Sequence, residues 1–161
     1  MTRRKGRLWK KSWPDHSELI SRVTLRVPFQ DADPTGMAWH GSYFRFYDNA
    51  RVELLKRLNF GYREMAAVGQ IWPIVDTRVR YLRSIPFGEE ISVSAQLVEW
   101  EFRLLMFYEI CDRDGRRLNE AYTVQVPVTA ADEGLVIGVP SEVQARVLSL
   151  IGAASADTKA E

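Results

Sequence analysis

Little in this chain points to a metal, a disulfide or a membrane. Cys111 is the only cysteine, and His16 and His40 are the only histidines, in 161 residues. A single thiol closes no internal disulfide, and one cysteine with two histidines does not make the usual metal-ligand cluster. The chain therefore reads as cytoplasmic and metal-free. No apolar stretch approaches the roughly 18 residues that span a bilayer. The N-terminus is basic but lacks the apolar segment and small-residue cleavage site of a secretory signal. Charge of one sign is missing too: 22 Lys and Arg stand against 21 Asp and Glu, a net charge of +1. That balance excludes a dedicated nucleic-acid binder of the strongly basic kind.

What is present fits one domain, since 161 residues at 46% hydrophobic content supply material for a single core. Residues 1–19 read as a basic tail carrying Arg3, Arg4, Lys5, Arg7, Lys10 and Lys11 with Trp9 and Trp13 between them. Such a tail is a solvated arm or packs on a neighbouring subunit, with weak peripheral contact to anionic lipid as its lesser use. Residues 20–151 form the domain, and residues 152–161, without apolar periodicity, are expected to be disordered.

Within the domain, Val23, Leu25, Val27 and Phe29 alternate and predict a strand over Ser21 to Gln30, with Pro28 at an edge or bulge. Tyr43, Phe46, Tyr47, Ala50, Leu54 and Leu58 recur at steps of three and four, so one face of a helix is buried from about Ser42 to Leu58. Asn59-Phe60-Gly61 ends it, and Tyr62 to Val68 adds a short second helix. Strands follow near Ile71 to Leu82, Glu90 to Trp100, Phe102 to Asp112 and Leu118 to Thr129, read together as a meander. Ser141 to Ile151 closes the chain as a helix with Val143, Val147, Leu148 and Ile151 on one side. A long helix on a curved antiparallel sheet is an α+β architecture. The large apolar residues on both faces of the inner strands leave a face that a second copy would cover.

The chemistry concentrates in Phe29-Gln-Asp-Ala-Asp33-Pro-Thr-Gly36-Met37-Ala-Trp39-His40-Gly41-Ser42-Tyr43. Asp33-Pro34-Thr35-Gly36 is a turn, with proline presetting φ and glycine tolerating values that other residues resist. Beyond it a helix begins, and the N–H groups near His40 and Gly41 can polarise a carbonyl oxygen. Asp33 on its stiff corner then suits a general base or a nucleophile. Asp-Pro and Thr-Gly are also ordinary turn chemistry, Ser42 is an ordinary N-cap residue, and a lone histidine at a helix start often serves only as a polar cap.

Residues 23–53, through Phe46-Tyr-Asp-Asn-Ala-Arg-Val-Glu53, resemble the hotdog-fold acyl-CoA thioesterases of the 4-hydroxybenzoyl-CoA thioesterase type. That group includes the short-chain enzymes associated with the bacterial Tol–Pal system. In it an Asp, a Gly three residues later, a residue seven later that opens the central helix, and a Tyr three beyond recur together; Asp33, Gly36, His40 and Tyr43 match all four. The resemblance continues through Val79-Arg-Tyr-Leu-Arg83-Ser-Ile-Pro86-Phe-Gly-Glu89 and Asn119-Glu-Ala121, and covers roughly residues 20–150.

The resemblance implies a long central helix wrapped by a curved five-stranded antiparallel sheet, assembled as dimers or tetramers with active sites at the dimer interface. It implies hydrolysis of a small aromatic or short-to-medium acyl-CoA, without cofactor, to the free acid and coenzyme A. Asp33 would attack the thioester carbon to give a transient anhydride, or activate a water; both routes stay open. The His40 N–H would polarise the carbonyl while its imidazole orients substrate or water. Gly36, Met37, Trp39, Gly41 and Tyr43 would surround the substrate.

Two features depart from the Tol–Pal pattern. Phe29 stands where tyrosine is common, which removes a hydroxyl, and Trp39 and Trp72 either narrow the acyl pocket, stack on an aromatic acyl group or simply pack. Arg78, Arg80, Arg83 and Arg103 are candidates for the coenzyme A phosphates, with Arg83 and Arg103 preferred. The alternative reading is a non-catalytic hotdog module that binds an acyl thioester or a protein partner. A hotdog dehydratase or hydratase would need a different arrangement of Asp or Glu with His.

Overall fold

Alternation along the inner strands decides which face each side chain takes. A computed structural model describes residues 16–132 and 134–157. Strand β1 (Ile20–Arg26) is followed by helix α1 (Tyr43–Arg57) and a short α2 (Tyr62–Ala67). Then come β2 (Gln70–Ile71), β3 (Ile74–Tyr81), β4 (Glu90–Glu99), β5 (Leu104–Cys111), β6 (Arg117–Gln125), β7 (Val128–Thr129) and helix α3 (Ser141–Asp157). Five strands form one antiparallel sheet in the order β1-β4-β5-β6-β3, and β2 pairs with β7 in a separate ribbon.

The register places Val93 opposite Ile110, Ala95 opposite Tyr108 and Leu97 opposite Met106. All six are buried, and this face carries α1. Every apolar position expected on the helix, from Tyr43 to Leu58, is buried, with Leu55 beside them. Removing one such side chain from water stabilises the fold by about 1.5–3 kcal/mol. The helix ends as Asn59 takes φ of 46° and the Phe60 N–H reaches back to Leu55 O at 3.0 Å. Asp112 Oδ1 accepts the N–H groups of Asp114 and Arg116 and Gly115 takes φ of 77°, which makes the expected β5–β6 turn.

Several expectations are corrected. The strands expected over Ile71 to Leu82 and Leu118 to Thr129 are each broken, just before Ile74 and just after Gln125. Pro73 and Pro127 sit at the breaks and have no N–H for a ladder. The meander holds only for β4-β5-β6, because β3 crosses to the far edge and pairs with β6. Strand β1 stops at Arg26, and Pro28 leads instead into a 3₁₀ turn at Phe29–Asp31.

At the ends, Ser17–Leu19 form a 3₁₀ turn with Leu19 wholly buried, so these residues belong to the fold rather than to the tail. The tail expected over residues 1–15 lies outside the described residues. Helix α3 runs on to Asp157, so residues 152–157 are helical where disorder was expected, and 158–161 lie outside the described residues. Its buried side is Val143 and Val147 with Leu150 and Ile151 partly covered; Leu148 is 60% exposed and faces away.

Candidate active site

The site is built on a small hairpin between β1 and α1. Ala32 bridges Ala38, and the Asp33 N–H donates to Met37 O at 2.8 Å. At the tip the Gly36 N–H donates to Asp33 O at 2.9 Å, with Gly36 at φ of 78°. Asp31, buried just before the hairpin, pairs with Arg45 of α1. Its carbonyl takes the Trp39 N–H at 2.8 Å and the Ser42 hydroxyl at 3.1 Å. Loop and helix start are thus tied at one residue.

Asp33 is partly exposed, and its Oδ1 accepts from the Thr35 N–H at 2.8 Å, the Thr35 hydroxyl at 2.5 Å and the Met37 N–H at 3.4 Å. The Thr35 hydroxyl and amide hold the carboxyl below its ordinary value, because they bond to its charged form. Oδ2 has no hydrogen-bond partner among the described residues.

The helix opens earlier than Ser42 suggests. A 3₁₀ turn at His40–Ser42 precedes α1, and neither Trp39 nor Ser42 caps it through a side chain. Its first hydrogen bond joins the Ser42 N–H to Trp39 O at 2.9 Å, so the N–H groups of His40 and Gly41 lie ahead of it without an acceptor in the turn. The exposed Trp39 indole lies 4.7 Å from the His40 ring, centre to centre. It also covers Gly41, where a Cβ would sit 2.1 Å from a ring carbon. A side chain there would displace the exposed indole.

Against the hairpin runs the segment between β3 and β4. The Ala38 N–H donates to Ile85 O and the Phe87 N–H to Gly36 O, both at 2.8 Å. Between the two segments lies a cavity of about 400 Å³, lined by Asp33, Thr35, Met37, Ala38, His40 and Tyr43 on one side and by Tyr81, Leu82, Arg83 and Ser84 on the other. Burial raises the Tyr43 hydroxyl to about 12, so it stays protonated at neutral pH.

Of the expected site residues, the structure brings Asp33, His40, Met37, Tyr43 and Arg83 to this cavity, with Gly36, Trp39 and Gly41 in its supporting turns. Two expectations fail. Trp72 is 5% exposed in the core, edge-on to Phe60 at 5.4 Å, because it sits between the ribbon strand β2 and Pro73. Arg103 lies in the β4–β5 connection and bonds Glu99 at 3.0 Å. Neither lines the cavity. Arg80 pairs with Glu120 at 2.5 Å, and Phe29 stands apart, 76% exposed and edge-on to Phe87.

Three residues were missed from sequence: Asp31, Thr35 and Tyr81. Thr35 carried a signal, because a threonine two residues after an aspartate is a ready donor to it. Tyr81 carried none, since its side depends on strand register. Among the described residues no three His, Cys, Asp or Glu side chains gather where a metal could be held, and no helix is long and apolar enough to cross a membrane.

Residues 27–147 match the family model of the thioesterase-like superfamily. The chain belongs to that superfamily. It is similar to the acyl-CoA thioesterase YbgC of Haemophilus influenzae, 26% identical over 122 residues that cover 75% of this chain and 89% of the relative. The acyl-CoA thioester hydrolase YbgC of Escherichia coli O6:H1 is 26% identical over 110 residues, 68% of this chain and 82% of the relative. Among solved structures, the DHNA-CoA thioesterase of Staphylococcus aureus superposes with a TM-score of 0.73 at 23% identity, over 84% of this chain and 95% of that one. The 1,4-dihydroxy-2-naphthoyl-CoA thioesterase Slr0204 of Synechocystis gives 0.73 at 17% identity, over 81% and 97%. The architecture is the hotdog fold, as expected.

Proposed function

We propose that this protein hydrolyses the thioester of a small aromatic or short-to-medium acyl-CoA, releasing the carboxylic acid and coenzyme A. One observation carries the reading: Asp33 and His40, whose N–H lies ahead of the first hydrogen bond of the helix opening, line one cavity. The His40 N–H polarises the thioester oxygen and stabilises the negative charge that develops there.

Asp33 has two routes. A base that takes a proton from water works best with a pKa near the working pH. Asp33 lies on the other side, held below the ordinary carboxylate range. Direct attack needs only the anion and a free oxygen, and Oδ2 is free of partners among the described residues. That attack forms a mixed anhydride and expels the coenzyme A thiolate; water then cleaves the anhydride and restores the carboxylate. The His40 imidazole orients substrate or water, and Arg83, exposed at the rim, meets the coenzyme A phosphates.

The reading extends to self-association as a dimer or tetramer in the cytoplasm. The edge strand β3 and the residue after it leave Ile74, Val75 and Leu82 between 41% and 57% exposed, a surface that a second copy would cover.

The test is thiol release from a panel of short-chain, long-chain, phenylacetyl and hydroxybenzoyl coenzyme A thioesters. Turnover of at least one is expected. Folded protein that releases no thiol, yet is thermally stabilised by acyl-CoA, would replace the enzyme with a binding module.

A further inference from the structure

The peptide joining His40 to Gly41 lies in the 3₁₀ turn and carries the Gly41 N–H, the second of the two N–H groups ahead of that turn's first hydrogen bond. In a trans peptide the carbonyl oxygen of His40 and the N–H of Gly41 point in opposite directions, so one orientation fixes both. Turning that plane over requires counter-rotation about ψ of His40 and φ of Gly41, and glycine offers it the least steric resistance. A flip would replace the Gly41 N–H at the helix opening by a carbonyl oxygen, while the His40 N–H, which belongs to the preceding peptide, would stay in place. The capping side chain that normally holds such a turn is absent at both Trp39 and Ser42.

A clamp comes from elsewhere in the fold. The Tyr81 hydroxyl donates to His40 O at 2.8 Å. Tyr81 is the last residue of β3 and pairs with Asn119, two steps along from Val79 opposite Ala121. This alternation puts its ring on the same face of the sheet as α1. The ring stands edge-on to Tyr43, 4.9 Å between centres at 87°. Burial raises its hydroxyl above the ordinary value, so the donated proton is retained. The Trp39 indole lies against Gly41, where a Cβ would point.

We propose that Tyr81 is a positioning residue that locks the His40–Gly41 peptide against flipping, and with it the Gly41 N–H, the second open donor beside that of His40. Its single proton is committed to the His40 carbonyl. It is therefore not the donor to the thioester oxygen, and it acts on the reaction only through the turn. The catalytic consequence rests on the thioesterase reading; the clamp itself does not.

Tyr81→Phe keeps the ring and removes the donor. Two readouts are taken on the full chain. With carbon-13 at the His40 carbonyl, the resonance should move upfield in the variant. With the best acyl-CoA of the panel, kcat should fall about tenfold while KM stays within about twofold, the scale of one lost hydrogen bond felt at the barrier. Incorporating 3-fluorotyrosine at position 81, which retains a hydroxyl, should restore most of kcat. An unmoved carbonyl resonance overturns the clamp, and a moved resonance with wild-type kcat overturns its catalytic role. Failure of the thioesterase reading shows separately, as wild-type protein that releases no thiol, and the carbonyl resonance still decides whether the clamp exists.

Discussion

Asp33→Asn is the substitution that isolates the charge from the turn. Asparagine keeps a carbonyl oxygen in the place of Oδ1, where it still accepts from the Thr35 N–H, the Thr35 hydroxyl and the Met37 N–H. The backbone bonds that close the hairpin, Asp33 N–H to Met37 O and Gly36 N–H to Asp33 O, do not involve the side chain at all. What changes is Oδ2, the oxygen without a partner among the described residues, which becomes an NH₂ that neither attacks a thioester nor accepts a proton. Turnover should therefore fall by at least about 100-fold, the lower end of what a lost acid–base group costs, with less from KM. The assay is thiol release at saturating acyl-CoA, with thermal unfolding as a control that should show little change. Reversion of the variant to aspartate by deamidation is suppressed, because the following residue, Pro34, has no N–H to close the succinimide. An Asp33→Asn protein that folds and keeps more than about a tenth of wild-type turnover would refute both routes for Asp33. Where turnover is lost, repeated turnover of the wild type in ¹⁸O-water separates them. Nucleophilic attack, followed by hydrolysis of the anhydride at the aspartyl carbon, leaves label in the Asp33 peptide; proton abstraction leaves it only in the product acid.

Thr35→Val removes the largest stabiliser of the Asp33 anion, so the acid limb of kcat should move up toward the ordinary value of 3.8 while activity at pH 7 is little changed; a pH profile that does not move rejects the coupling. The sign follows because a carboxyl held below its ordinary value is ionised over a wider range of pH, and losing that hold narrows the range from the acid side. His40→Ala should cost less than Asp33→Asn, since the N–H of residue 40 survives the substitution; equal losses in a side-by-side assay would give the imidazole a direct role. Arg83→Ala should raise KM for coenzyme A thioesters several-fold with little effect on kcat, and Arg103→Ala, already paired with Glu99, should leave both within about twofold. A larger effect at Arg103 in the same steady-state assay would reverse the assignment.

Helix α1 was legible because its apolar residues repeat at the helical period, and nothing in tertiary structure competes with that pattern. Its start was less so. Ser42 has the chemistry of a cap, but its hydroxyl goes to Asp31 O, a partner eleven residues back that only the folded loop supplies. The strands were legible as segments and not as a sheet, since local alternation says which residues share a face but not which strand lies beside which. The same limit explains the errors at the site. Asp33, Gly36, His40 and Tyr43 form one local cluster, and their spacing is meaningful before folding. Trp72, Arg83 and Arg103 have only their side-chain chemistry to recommend them, and it takes the fold to bring Arg83 to the cavity, Trp72 into the core and Arg103 to Glu99.

That crossing also explains why the cavity lies where it does. β1 and β3 are opposite edges of the sheet, yet the segment that follows β3 must return to β4, beside β1. It therefore runs across the ends of the intervening strands from Leu82 to Glu89, with Leu82 and Arg83 both donating to Leu118 O as it leaves the far edge. The hairpin after β1 meets it coming the other way, and the bridge between Met37 and Pro86 marks the contact. Two segments remote in sequence are thereby stitched by backbone bonds, which do not depend on side-chain identity. Side chains at the tip of the hairpin and at the end of β3 are left free to vary the chemistry without unmaking the frame. On the proposed reading the two walls of the cavity divide the labour, charge from the hairpin and orientation of the Gly41 N–H from the edge strand, and the Asp33 and Tyr81 variants probe each wall in turn.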